Sequence, residues 1–94
     1  MEVGNPNPES DADLKIRAMN YVLDRICSRY KEKADPTFTS EEIKARLKGL
    51  GPKYVDLNIR DIFKGSGYVE IDDSYNLILN ERGKQACKRG ELSV

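Results

Sequence analysis

The stretch Gly51-Pro52-Lys53-Tyr54-Val55-Asp56-Leu57-Asn58-Ile59-Arg60-Asp61-Ile62-Phe63-Lys64-Gly65-Ser66-Gly67-Tyr68-Val69 decides the reading of the chain. Its spacing predicts one helix over 52–64 that stops at glycines and turns directly into a strand. Pro52 suits a first helical turn, where its missing N–H costs nothing. Val55, Ile59 and Ile62 recur at spacings of four and three and so share one face, with Phe63 on its flank. Lys53, Leu57, Arg60 and Lys64 fall on the other face, with Tyr54 and Asp61 beside them. Gly65 and Gly67 can take the positive φ angles that end a helix. Tyr68-Val69-Glu70-Ile71 has the β-branched and aromatic content of a strand. A helix with one apolar and one basic face, beside a strand, is either a reading head for DNA or an ordinary amphipathic helix.

Working outward on the N-terminal side, residues 40–48 read as a second helix with Ile43 and Leu47 inward and Lys44 and Lys48 outward. Thr39-Ser40-Glu41-Glu42 is its capping box. The turn Gly49-Leu50-Gly51 joins it to the helix 52–64, and two short helices on a glycine-containing turn are the pattern of a helix-turn-helix. Phe38, between two threonines, could form a very short strand. Pro36 ends the preceding helix, which spans Ala12 to about Lys33. On that long helix Ala12, Ile16, Met19, Leu23, Ile26, Cys27 and Tyr30 are expected on one core-facing stripe, while Lys15, Arg17, Arg25, Arg29 and Lys31 mostly face away.

On the C-terminal side the pattern period falls from about 3.6 to 2. Tyr68–Ile71 and Tyr75–Leu79 are strand candidates, and the turn residues between them predict a hairpin. Asn80 caps a last helix from Glu81 to about Arg89. Its small residues Gly83, Ala86, Cys87 and Gly90 form a face that permits close packing against another helix, in the same chain or in a second copy. Residues 1–11, with two Asn-Pro pairs, are expected to form a disordered tail, and 12–91 one domain.

The bulk numbers narrow the function classes. With 94 residues there is room for one small α+β domain. Lys plus Arg equals Asp plus Glu at 16 each, which counts against non-specific nucleic-acid binding but leaves room for a local basic patch. The absence of histidine removes the commonest general base and the commonest metal ligand. Cys27 and Cys87 have no Cys-x-x-Cys spacing, so no zinc site is expected. They read as two buried thiols, with a bridge open only if the first and last helices pack closely. Asp72-Asp73 reads as a solvated turn, because adjacent hairpin residues point to opposite sides and cannot converge on one substrate. The glycines lack phosphate-loop spacing. Neither enzyme nor cofactor is expected. No apolar run is long enough to span a membrane, and the N-terminus carries no visible signal peptide, so a cytoplasmic location is expected.

The order helix, brief strand, helix, turn, helix, hairpin, helix resembles the winged-helix (winged helix-turn-helix) family of DNA-binding domains. The likeness is carried by Phe38-Thr39-Ser40-Glu41-Glu42-Ile43, by Val55 to Phe63 as recognition helix, and by Gly65-Ser66-Gly67-Tyr68-Val69 as its exit into the wing. Leu77-Ile78-Leu79-Asn80-Glu81-Arg82-Gly83-Lys84-Gln85-Ala86 is similar to the passage that follows the wing in many small regulators, with Asn80 where threonine is usual. The likeness covers roughly residues 13 to 90. It implies a small transcription regulator that binds double-stranded DNA through the helix 52–64. The implied contacts are Lys53, Tyr54, Leu57, Arg60 and Lys64, with Arg60 on a base edge, Lys53 and Lys64 on phosphate, and Lys44 and Lys48 in support. It also implies a dimer through the terminal helices. The acidic wing tip Asp72-Asp73 departs from the family pattern, and keeps open a winged-helix protein–protein interaction module with no DNA binding.

Overall fold

The computed structural model describes residues 11–91, so the tail expected over residues 1–11 lies, apart from Asp11, outside the described residues. The elements are α1 (Asp11–Lys33), β1 (Thr37–Phe38), α2 (Ser40–Leu50), α3 (Pro52–Val55), α4 (Ile59–Phe63), β2 (Val69–Ile71), β3 (Leu77–Leu79) and α5 (Glu81–Lys88). The class is the expected α+β, with five helices and one antiparallel sheet of order β1-β3-β2 among the described residues.

The 23-residue α1, about 34 Å at 1.5 Å per residue, is the post of the fold. It packs on α2, α3, α4, α5 and β1. Its buried positions are Leu14, Ala18, Val22, Leu23, Ile26 and Cys27. The expected stripe is therefore right in its second half and out of phase in its first. Ile16 is 53% exposed, and Val22 is fully buried. A long helix that meets several partners along its length rotates its buried side as the partners change, which a single straight stripe does not capture.

The lone Phe38 makes β1, pairing with Leu77 across to β3, and is completely buried. The capping box at α2 forms as read: Thr39 accepts from the Glu42 N–H, and the Glu42 carboxylate accepts from the Thr39 N–H at 3.0 Å. Helix α2 runs through Gly49 and stops at Gly51, whose φ of 148° lies in the region that favours glycine.

The expected single helix over 52–64 is two helices. Helix α3 ends at Val55, and Asn58 in extended conformation starts α4. The Asn58 side chain accepts from the N–H groups of Arg60 (2.9 Å) and Asp61 (3.2 Å). Asparagine favours such caps over helix interiors because its side chain competes for the backbone N–H groups. The break resets the phase, so Tyr54, expected outside, is buried, and Val55, expected inside, is 38% exposed. Ile59, Ile62 and Phe63 bury as expected.

The hairpin is pinned to α5. Asn80 accepts from the Gly83 N–H at 2.8 Å and donates its Nδ2–H to the Gly67 carbonyl at 2.9 Å. Gly83 permits this approach, because a Cβ there would collide with the Tyr68 carbonyl and the Leu79 side chain. Of the expected small-residue face, Gly83, Ala86 and Cys87 are buried within this chain and Gly90 is exposed.

Cys27 and Cys87 form a disulfide between α1 and α5, with Cα atoms 5.6 Å apart, where two buried thiols were the favoured reading. That separation lies within the range a disulfide bridges. The loop closed spans 60 residues and includes every element between the two helices. By the chain-entropy model such a loop contributes about 4 kcal/mol. Denaturant unfolding with and without reductant, and of the Cys27→Ala/Cys87→Ala variant, is expected to show a loss of up to about that size. Equal midpoints in all three samples would mean the bridge contributes nothing.

The ion pair of Arg29 with Glu42, together with the N–H of Thr39, holds the Glu42 carboxyl down at about 2, from an ordinary 4.5. A lowered acid contributes stability above its ordinary value and loses it as pH falls toward the folded-state value. Urea midpoints of wild type and Glu42→Gln are therefore expected to differ at neutral pH and to converge between about pH 4.5 and pH 2.

Candidate nucleic-acid interface

Around α4 the chain presents a surface built from three segments. Arg60 and Lys64 leave α4 and its C-terminal cap exposed, and Lys44 and Lys48 leave α2 exposed. Between them the α3–α4 junction and the hairpin turn enclose an open cleft of about 340 Å³, into which Lys44, Val55, Leu57 and Tyr75 project. Val55 and Tyr75 are two of the three large apolar side chains exposed among the described residues.

Arg60 ties α4 to the hairpin. Its guanidinium lies 4.8 Å from the centre of the Tyr75 ring, and its Nη2 donates to the Asp72 carbonyl at 3.1 Å. A cation over an aromatic face is attracted by about 0.5–1 kcal/mol at such exposed positions. Arg60 is thus held in place without being buried, and the partner it takes is a carbonyl rather than a carboxylate.

The Asp72 carboxylate is turned to a local task. Its Oδ1 accepts from the N–H groups of Ser74 and Asn76, both at 2.9 Å, and its Oδ2 from the Asn76 amide at 3.1 Å. These bonds, the Asn76 N–H first, hold its pKa below the ordinary carboxylate value. The same turn carries Tyr75 at φ 64°. A non-glycine residue in the left-handed region is uncommon and marks a position that the surroundings over-determine. Here the turn bonds of Asp72 and the contact with Arg60 hold it.

The structure divides the residues expected to touch DNA. Lys44 and Leu57 line the cleft, and Arg60 stands over its Tyr75 wall. Lys53 lies at a separate groove of about 380 Å³ with Arg17 and Leu50. Tyr54 is buried and is corrected from a contact residue to a core residue. Leu57 is half-buried against the core. Lys48 and Lys64 are exposed but line neither cleft. Asp56 lines the cleft as well, and Asp61 and Asp73 are exposed nearby in sequence, so the surface is mixed in sign. Val55 was missed as a surface residue; Asp56 and Asn58 just after it, both weak helix formers and Asn58 a good N-cap, were the signal.

Compared with the known protein families, with curated proteins and with solved structures, the chain matches none. Among the described residues no three His, Cys, Asp or Glu side chains gather where they could hold a metal ion, and no helix is long and apolar enough to cross a membrane.

The cap on α4 is what aims Arg60. Asn58→Ala is expected to destabilise the fold by about 1 kcal/mol. It should also release the side chain of Arg60, read as a loss of the upfield or downfield ring-current shift of its δ protons beside Tyr75 by NMR. Retention of that shift would show that the contact does not depend on the cap.

Proposed function

We propose that this chain is a small DNA-binding regulator of winged-helix type, holding duplex DNA through the face that joins α4 to the hairpin turn. The reading is carried by one observation: Arg60 is exposed on α4 and braced by Tyr75 of the turn, so helix and hairpin present a common edge. In this reading Arg60 takes a guanine edge, for which its fork of donors is shaped. Lys44, Lys48 and Lys64 take phosphate, which positions without specifying. Helix α4 is only five residues long. The reading surface is therefore composite, with Leu57 and Tyr75 supplying apolar contact where a longer helix would lie in the groove.

A specific observation favours a second reading. Val55 and Tyr75 are exposed apolar side chains in one cleft with Asp56 on its wall. An exposed apolar pair rimmed by both charge signs suits a protein partner better than a phosphate backbone. That reading is of a winged-helix interaction module without DNA binding.

The two separate in a salt titration. Fluorescence anisotropy with a labelled duplex of mixed sequence, at rising salt, is expected to give a log–log slope of about −3 to −4 if four cations meet phosphate or base. Arg60→Ala with Lys64→Ala should weaken binding at low salt by at least tenfold and flatten the slope by about 1 to 2. Absence of salt-dependent binding at low ionic strength would remove the regulator reading. Loss of a partner's binding in Val55→Ser/Tyr75→Ser would then support the module.

A further inference from the structure

On the far side of α2 from Lys44 and Lys48 lies a second basic cleft, of about 200 Å³, between the C-terminal half of α1 and α2. It is lined by Arg25, Ser28, Arg29, Glu32, Lys33 and Arg46. Arg46 is two residues on from Lys44, about 200° round the helix, so the two basic regions cannot belong to one flat contact. Nothing in the resemblance to DNA-binding domains places a ligand here.

The charges in this cleft are not equally committed. Arg25 is paired with Asp24 at 2.7 Å, and Glu32 faces Arg25. Arg29 is paired with Glu42 and donates to the Thr37 carbonyl at 3.2 Å. Arg46 and Lys33 have no ion pair among the described residues. Arg46 is half-buried, its guanidinium packed 5.3 Å from the centre of the Phe38 ring, and its Nε is a buried nitrogen with no hydrogen-bond partner among the described residues. That nitrogen is covered by protein, so a ligand in the cleft meets the guanidinium through its terminal Nη groups. Packing against Phe38 holds the guanidinium, and its Nη donors have no partner among the described residues.

We infer that this cleft binds a phosphate group, with Arg46 as the principal ligand and Lys33 and Ser28 as supporting donors. Arg46 and Lys33 carry two uncommitted positive charges against Glu32, unpaired among the described residues, on the same lining, and a phosphate monoester carries about −1.5 to −2 at neutral pH. A planar guanidinium held against an aromatic ring is pre-organised to give two parallel N–H bonds to phosphate oxygens. The volume lies below the range of about 300–1,000 Å³ typical of drug-sized ligand pockets, and fits a single anionic group rather than a whole cofactor. Glu32 on the lining and Asp35, 3.8 Å from Arg29, oppose the anion, so the site depends on Arg46 and Lys33.

The probe is inorganic phosphate, followed by NMR of the full chain at constant ionic strength with chloride as the reference anion. Phosphate is expected to shift the Nε–Hε signal of Arg46 and the Ser28 and Lys33 amides saturably, with chloride leaving them in place. Arg46→Gln should weaken phosphate binding at least tenfold, and Arg46→Lys, which keeps the charge without the fork, by several-fold. Arg46 also packs on Phe38, so the exposed Lys33→Gln, expected to weaken binding about three- to fivefold, tests the site without touching the core. Non-saturable shifts, or equal affinities in wild type, Arg46→Gln and Lys33→Gln, would overturn the inference.

Two further arms identify where the phosphate comes from. A nucleoside 5′-monophosphate that binds more tightly than inorganic phosphate, with duplex binding unchanged in Arg46→Gln, assigns the site to a small phosphorylated molecule. A duplex salt slope that falls by about 1 in Arg46→Gln assigns it to a nucleic-acid backbone. The Arg60→Ala/Lys64→Ala variant should leave the phosphate shifts unchanged, so the two sites stand or fall separately.

Discussion

The other four helices and β1 lean on the buried stripe of α1. Val22 and Ile26 are fully inaccessible and Cys27 nearly so. Helix α2 closes on this helix through Ile43 and Leu47, α4 through Ile59, Ile62 and Phe63, and α5 through Ala86 and Cys87. Full burial of a side chain of this size contributes about 1.5–3 kcal/mol relative to exposure. A domain this short buries a smaller share of its surface than larger ones do, so few of these contacts are dispensable. The position of α4, and with it the aim of Arg60, follows from where its three buried residues find room on α1. The surface that carries the proposed function is thus set by the inward side of a five-residue helix too short to hold its own shape.

Apolar packing alone would leave that surface loosely aimed, because hydrophobic contact has no direction. Direction comes from three short polar side chains, each bonded to nearby backbone. Asn58 starts α4 and so sets which residues follow at its first turn. Asn80 starts α5 and at the same time holds the Gly67 carbonyl at the foot of the hairpin. Asp72 closes the hairpin turn and sets Tyr75 in its left-handed conformation. The contact of Arg60 with Tyr75 joins the first of these to the third. Cap, turn and cation–ring contact thus form one connected path on the outer surface.

The elements that were legible in the sequence are those with a strong local signal. The Thr39–Glu42 capping box, the Asn80 cap and the change of period after Gly67 located α2, α5 and the hairpin closely. Phe38, a lone aromatic between threonines, was readable as a brief strand. The break between α3 and α4 was less visible because Val55, Ile59 and Ile62 fit a continuous helical face, and the apolar period outweighed the cap preference of Asn58. Once the helix restarts, that shared face no longer exists, which is why Tyr54 and Val55 exchange places. The Cys27–Cys87 pair was readable as two inward-facing residues, but their approach depends on Gly83 and Ala86 allowing α5 close to its neighbours, a tertiary fact. The basic cleft at Arg46 left no sequence signal, since Arg25, Ser28, Arg29, Lys33 and Arg46 come together only when α1 and α2 pack.

Zero net charge does not weigh against binding of anions once the charges are placed. Several acids are spent inside the chain: Glu42 on Arg29 and the α2 cap, Asp72 on its own turn, Asp24 on Arg25. Asp61 sits in the first turn of α4, where a negative charge suits the helix dipole. The cations are less completely paired: Lys44, Lys48, Lys64, Lys33 and Arg46 have no ion pair among the described residues. Acids unpaired among the described residues stand beside them, Asp56 at the first cleft and Glu32 at the second, and local charge within a Debye length of about 8–10 Å is what an anion would respond to. The same reasoning separates the two basic regions. They stand on opposite flanks of α2, so any ligand that met both would have to wrap the helix.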